Sequence, residues 1–413
     1  MRDRVAAVRR DPRSRARLVL AIGALSGIQY TISQALYSPE QFGLASSVYV
    51  TAAEAWLSGG DPYAVTPPEL PGYHYIYPPV MLLVFAPYAV LGGETLAYAG
   101  QIVANLVVGA AISWVLVRAL ERRGVEVDRL DWLVIGGFVL ASPLGIAQVI
   151  QGQTTLWLAL ALAAGFELIE RDRDLLGGAV IALPAVVKVF PAVVGLWLIR
   201  RRAYRGVVVA VVVGLGALVL GAVVLGVDLT EQFVGEVLLG RLEDQSGRRQ
   251  TDPTTSVGGI GRQLHGLFGL SGTWLTLVAL AVATPLLAAS YRHIDTDVRR
   301  LGAMLATVLL GLMVLPMQPL YFPLIYYPMV LLLYRLRRGW AATFLTVGAL
   351  LTLVKVTLEP VVAAVGHAPE PLANIGIGLT EAVFAVALPT DVAMWCLLAC
   401  CVLVQRGRSG ASG

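Results

Sequence analysis

The sequence predicts an all-α integral membrane protein, a single polytopic domain over 1–413 with about 11–13 transmembrane helices and interfacial helices in its outer loops. Three observations predict it. Of 413 residues, 57% are hydrophobic and 14% charged, against about 45–50% and about 25% in an average soluble domain. Mean hydropathy is +0.73. The apolar residues fall in runs of spanning length, and in lipid a helix satisfies its own backbone polar groups. This composition excludes a soluble enzyme, a nucleic-acid reader and a disordered chain.

Charge orients the elements. Net charge is +4, and only Lys188 and Lys355 among the 31 basic residues are lysine. Residues 1–17 carry Arg2, Arg4, Arg9, Arg10, Arg13, Arg15 and Arg17, a cytoplasmic basic tail by the positive-inside rule. The first span follows over 18–38. Residues 39–75 lack Lys and Arg but contain Glu40, Glu54, Asp61 and Glu69, the composition of a first outer loop. Within it, Ser47 to Ser58 has helical period. Tyr49, Ala52, Ala53, Trp56 and Leu57 share one face, and Ser47, Thr51, Glu54 and Ser58 the other. That pattern predicts a helix lying in the interface with Glu54 toward water, ended by Gly59-Gly60-Asp61-Pro62.

Further spans are expected over 76–92, 97–119, 131–150, 153–169, 175–199 and 206–226. Strict alternation places Arg118, Arg122, Arg123 and Arg129 outside, whereas the charge rule wants them inside. Two proline-bearing runs offer a reconciliation: 76–92, with Pro78, Pro79 and Pro87, and 175–199, with Pro184 and Pro191. Each could be a broken or re-entrant pair, tolerated at membrane depth where it lines a cavity. Either count leaves 227–265 as a second outer loop, with an amphipathic stretch from Leu229 to Leu242. The remaining spans are 273–291, 300–316, 322–335, 340–357 and 387–405, with a third outer loop over 358–386. A multi-pass cell-membrane protein with both termini cytoplasmic results. Cys396, Cys400 and Cys401 all lie in the last apolar run and read as small apolar side chains, not as a disulfide framework or metal site.

Long outer loops with interfacial helices on a helical bundle suggest a site at the outer surface, open to lipid at the side and to water above. Lys188 lies inside an apolar run, where an ammonium costs about 2.5–3.5 kcal/mol on insertion scales. It either snorkels to an interface or lines a polar cavity and meets a phosphate. Lys355, one turn from the end of its span, reads as snorkelling. Gln151 and Gln153 flank Gly152 at a break between two runs, either as a polar turn or as amides for a sugar or pyrophosphate. Glu40, Glu54 and Asp61 are outer carboxylates, solvated by default, and a base near an acceptor hydroxyl needs such a group. Arg248, Arg249 and Arg262 could clamp a phosphate. Tyr77 closes the aromatic run Tyr73-His74-Tyr75-Ile76-Tyr77, which an aromatic belt alone would explain. No Walker loop, dinucleotide fingerprint, metal-ligand cluster or nucleophile elbow is present in the sequence.

Four ordered elements carry a resemblance: Gly59-Gly60-Asp61-Pro62-Tyr63, Tyr77-Pro78-Pro79 with Pro87 beyond it, Gly152-Gln153, and Lys188 with Pro191 ahead of an arginine cluster. Together they resemble glycosyltransferase family 87, the polyprenyl-phosphate-mannose-dependent mannosyltransferases. The resemblance implies a GT-C-type bundle with its active site on the outer face and inverting transfer of a hexose, mannose first, from a polyprenyl-phosphate sugar to a lipid or glycan acceptor. It implies a loop carboxylate as base, here Asp61 or Glu54, and cations on the leaving phosphate, here Lys188, Arg248 and Arg249. Gln151, Gln153 and Tyr77 would line the sugar. The partners would be that donor, the acceptor and membrane lipids, and no nucleic acid. No cofactor is expected. Other enzymes of this architecture hold a divalent metal, and nothing in this sequence indicates one. There is a departure: the family's usual aspartate, about sixteen residues before the position of Asp61, falls near Ala45, and Ala45-Ser46-Ser47 has no carboxylate. A transporter or flippase, and an inactive relative that binds the lipid-linked sugar, are the competing readings.

Overall fold

A computed structural model describes residues 11–90, 92–240, 257–315 and 318–406. The described residues contain helices and no strand, as the all-α reading requires. The chain divides into two units, Leu20–Arg241 and Met1–Val19 with Leu242–Gly413.

In the first unit, α1 (Pro12–Tyr37, begun in the other unit) leads to α2 (Leu44–Leu57). Gly43 starts α2 in the left-handed region, φ 76°, and its N–H bonds the Ile150 carbonyl at 2.8 Å. Next come α3 (Val80–Val90), α4 (Glu94–Arg122), α5 (Arg129–Ala141) and α6 (Pro143–Gln151). Asp128 and Asp131 cap α5 reciprocally. Pro143 then bends the chain by 48° between α5 and α6, with Ser142 capping the second piece. α7 (Thr155–Glu170), α8 (Asp174–Val187), α9 (Val194–Arg200), α10 (Tyr204–Leu225) and α11 (Val227–Gln232) complete the unit. A π-helical turn, Phe233–Leu239, follows α11.

Ion pairs sort the ends of these helices. Glu167, near the end of α7, pairs with Arg122 and Arg123 at the end of α4 and with Arg171. Glu170 pairs with Arg201, just past α9. The termini of α4, α7 and α9 therefore share one arginine-rich end. The segment 174–201 leaves that end as α8, breaks at Lys188 and returns to it as α9, so the run 175–199 is re-entrant. The first turn of α10 also starts there, because Gly206 lies against Gly178 and the Asp174 carbonyl.

The opposite end gathers the 39–79 loop. Gln41 bonds Gln151, and Pro79 and Val80 lie against Gly221 near the end of α10. Glu94, at the start of α4, is an electrostatic neighbour of Glu54 and Glu69. Thus α3 begins and ends at this second end, and the two proline-bearing runs resolve the conflict between alternation and charge.

The second unit holds α12 (Ile260–Phe268), α13 (Gly272–Ser290), α14 (Asp297–Val314), α15 (Tyr326–Arg335), α16 (Trp340–Leu351), α17 (Leu358–Val365), α18 (Glu370–Val386) and α19 (Pro389–Arg406). α14 is buried along most of its length and forms the core of this unit. Gly348 brings α16 onto α19; a Cβ there would sit 2.8 Å from Leu397 Cγ. Cys396, Cys400 and Cys401 are unbridged thiols in α19.

Among the described residues five helices are long and apolar enough to cross a membrane alone, or six with the bent α5–α6 pair. Proline, glycine and Lys188 divide other apolar runs into shorter helices, and α7, at 16 residues, still runs between the two ends of the first unit. Two expectations change. The 358–386 stretch is not a plain loop but two helices, α17 and α18. Arg262 is no solvated phosphate clamp: 2% exposed, it donates from Nε to the Val257 carbonyl and from Nη1 to the Phe384 carbonyl, tying α12 to α18.

Candidate functional site

The site grows from the break at Lys188. Pro184 weakens the last turn of α8 by removing an N–H, and Pro191 opens a 3-10 turn over Phe190–Val193. Between them Lys188 is extended, φ −141° and ψ 120°, while its N–H still bonds the Pro184 carbonyl at 2.8 Å. The tip of the re-entrant segment thereby carries an ammonium. Its Nζ lies 5.2 Å from the centroid of the Tyr77 ring, inside the about 6 Å reach of a cation–π contact. Lys188 thus joins the loop end of the unit.

Tyr77 belongs to an aromatic floor. Its hydroxyl pairs with that of Tyr49 at 2.8 Å, and the Tyr49 hydroxyl donates to Gln153 Oε1 at 3.1 Å. Phe85 stacks on Tyr49 with centroids 4.2 Å apart. Tyr75 and Tyr63 close the floor, and the Tyr63 hydroxyl donates to the Tyr77 carbonyl at 2.8 Å. Tyr75 is 1% exposed and Tyr77 3%, so a headgroup belt does not account for them; Tyr73, 48% exposed, is the tyrosine of that run which a belt would fit. Burial holds the Tyr63 and Tyr75 hydroxyls protonated well above the usual tyrosine range.

The carboxylates differ. Asp61 is exposed, but both of its oxygens are engaged: Oδ1 accepts the Tyr63 N–H at 2.8 Å and Oδ2 accepts Gln232 Nε2 at 2.8 Å. Asp61 therefore orients the turn after α2 and fastens it to α11. Each oxygen keeps a second lone-pair direction for a proton. Through Tyr63 it is two hydrogen bonds from Tyr77. Glu54 lies exposed on the far face of α2, and Glu40 is exposed in the 3-10 turn Pro39–Gln41. Ala45, where the family resemblance would put an aspartate, is buried beside Tyr49 in the same apolar cluster.

The Gln151-Gly152-Gln153 break is built, not loose. Gly152 is left-handed, φ 67°, and ends α6. Gln151 bonds Gln41 Oε1 at 2.8 Å, so its amide is occupied by the loop end. Gln153 faces Tyr49. Beneath it Asn105 and Gln101 of α4 donate to the Gln153 carbonyl at 3.1 and 3.4 Å.

The structure therefore joins Lys188, Tyr77 and Gln153 and links Asp61 to them through Tyr63. It does not bring Glu54 into a bonded contact with them. Arg248 and Arg249 lie outside the described residues, and Lys355 and Arg262 belong to the other unit. Among the described residues no group of three or more His, Cys, Asp or Glu side chains converges as a metal site. Sequence reasoning missed Tyr49, Tyr63, Tyr75, Gln232 and Asn105. Tyr49 falls on the apolar face of α2, which faces protein, not lipid; a phenol amid that face was the available signal. Nothing in linear spacing pairs Asp61 with Gln232.

The model of glycosyltransferase family 87 matches residues 75–316. Tyr77, Gln151, Gln153 and Lys188 lie inside that range, and Glu54 and Asp61 before it. A polyprenol-phosphate-mannose-dependent alpha-(1-2)-phosphatidylinositol pentamannoside mannosyltransferase of Mycolicibacterium smegmatis is 28% identical over 276 residues, 65% of this chain and 64% of that relative. The chain thus matches just under two thirds of the relative's length. No solved structure matches it.

Proposed function

Because this chain belongs to glycosyltransferase family 87, a family of membrane glycosyltransferases, we propose that it transfers a hexose, mannose first, from a polyprenyl-phosphate sugar to a hydroxyl of a lipid or glycan acceptor. The arginine-rich end faces the cytoplasm, as the positive-inside rule asks. The loop end, with Lys188 and the tyrosine floor, faces outward. The observation that supports this reading most is the position of Lys188, at the tip of a re-entrant segment and over Tyr77.

The chemistry follows from charge. The acceptor oxygen attacks the anomeric carbon opposite the phosphate. Its proton passes to Asp61, and the C–O electron pair leaves with the polyprenyl phosphate. Attack and departure on opposite faces invert the anomeric centre. The leaving phosphate gains negative charge, and a preorganised ammonium stabilises that gain more than the ground state. Lys188 supplies it. Tyr77, buried under Lys188, seats the ammonium, and Gln153 offers its amide N–H to the sugar's hydroxyls. The donor is already activated, so no nucleotide enters. The same named relative depends on polyprenol-phosphate-mannose, which favours mannose.

Incubating the purified protein with labelled polyprenyl-phosphate mannose and extracted membrane lipids tests the proposal. Label moving into a new lipid or glycan supports it; label staying on the donor or released only as free sugar rejects it. Ala45 favours one second reading, a relative that binds the donor without turning it over. Tight donor binding with no product in that assay would select it.

A further inference from the structure

We infer that Asn105 is a positioning residue for this site: from the middle of α4 its carboxamide sets the Gln153–Tyr49–Tyr77 chain beneath Lys188. The inference deepens the proposed function and rests on it for the catalytic consequence only.

Asn105 is 0% exposed, near the middle of a largely apolar helix that also buries Gln101 and Ser113. An amide buried there costs about 1–3 kcal/mol unless its hydrogen bonds are made. Here they are. Nδ2 donates to the Gln148 carbonyl at 3.1 Å and to the Gln153 carbonyl at 3.1 Å. Oδ1 accepts the Trp157 indole N–H at 3.1 Å. Its three bonds reach both sides of the Gly152 break and the first turn of α7. Gly152 turns the chain, and the Gln153 N–H closes the turn on the Gln148 carbonyl at 2.9 Å. Asn105 holds that carbonyl and the Gln153 carbonyl together, with Gln101 Nε2 as a longer second donor to the latter at 3.4 Å.

The orientation is passed on. Gln153 Oε1 takes the Tyr49 hydroxyl proton, and Tyr49 pairs with Tyr77. Tyr77 is the ring under Lys188 Nζ. Trp157 fixes which way the Asn105 carboxamide points, because its indole N–H can only donate. With that N–H gone, the buried amide oxygen loses its donor, and only the two carbonyls hold the carboxamide in place.

The chain has two lysines, Lys188 and Lys355, and Lys355 in the other unit is an internal reference. Purified full-length wild type, Asn105→Ala, Trp157→Phe, Tyr49→Phe and Asn105→Ala/Tyr49→Phe are reacted with an amine-specific reagent, and labelling of each lysine is followed by mass spectrometry. Transfer kinetics are measured on the same samples. The expected result is a changed ratio of Lys188 to Lys355 labelling in every variant. Transfer kcat/KM falls by about 10- to 100-fold in Asn105→Ala, the scale of a misplacement of about 1 Å. Trp157→Phe keeps the bulk and covers the case in which Asn105→Ala does not fold. The double variant is no slower than the worse single one, because both act through Gln153. An unchanged labelling ratio, or multiplicative losses in the double variant, overturns the assignment. If wild type transfers nothing yet the ratio moves, the proposed function fails and the positioning role stands.

Discussion

Gly152→Ala reports on the joint that presents Gln153, and its cost can be worked from the geometry. Gly152 has φ 67°. An L-residue in that conformation pays about 1–2 kcal/mol for Cβ against the following carbonyl. The new Cβ would also stand 3.0 Å from both Cβ and Oγ of Ser46, a squeeze at the low end of overpacking, about 1 kcal/mol. The sum is about 2–3 kcal/mol. Denaturant titration in mixed micelles measures it. Gly152→Asn, which enters the left-handed region more readily, should cost less than Gly152→Ala. A cycle with Ser46→Gly isolates the contact: the coupling should return about 1 kcal/mol. If Gly152→Ala unfolds within about 0.5 kcal/mol of wild type, the joint is not the strained, tightly packed turn described here.

The other predictions concern charge and the tyrosine floor. Glu167→Gln should destabilise the arginine-rich end by about 3–5 kcal/mol in the same titration, because it leaves the guanidinium of Arg123 beside a neutral amide at a poorly solvated site; an unchanged midpoint would count against the shared helix ends. Asp61→Asn should lower transfer about 100-fold or more, whereas Glu54→Gln should leave it near wild type; the reverse order would transfer the role of base to Glu54. Stability should fall at high pH: burial raises the Tyr63 and Tyr75 hydroxyls above their unfolded value. The unfolded chain therefore loses those protons first, and the stabilisation, full below about pH 10, declines above it. Tyr63→Phe should flatten that alkaline loss, and an identical pH profile would contradict the burial.

Much of the fold was legible because lipid imposes simple rules. Apolar length marked α1, α4, α10, α13 and α19, and arginine position marked the ends. The re-entrant run was legible as a conflict: Arg118, Arg122 and Arg123 could not share a side with Arg200 to Arg202 unless one proline-bearing run turned back. What resolved the conflict was pairing, Glu167 with Arg122 and Arg123 and Glu170 with Arg201, and pairing across tens of residues leaves no trace in local period. The 358–386 stretch read as a loop because its proline and glycine interrupt the apolar pattern, yet each half still closes its helical bonds. At the site, Lys188 stood out because a cation in an apolar run is expensive, and Gln153 because a glycine beside it breaks a helix. Tyr49 did not, because helical period reports which residues share a face and not whether that face meets lipid or protein. Asn105 was hidden for the same reason, one of the few polar residues, with Gln101 and Ser113, on a long and largely apolar helix.

In the proposed mechanism Lys188 holds the lipid phosphate. The most direct measurement is the affinity of purified wild type and Lys188→Met for polyprenyl phosphate, the product left when the sugar departs, in lipid nanodiscs of fixed composition. Methionine keeps the length and apolar stem of the side chain and removes the charge. Binding should weaken by about 10-fold or more in Lys188→Met, the scale of a charge-assisted contact, while Lys188→Arg retains most of it. Equal affinity in wild type and Lys188→Met would contradict that role.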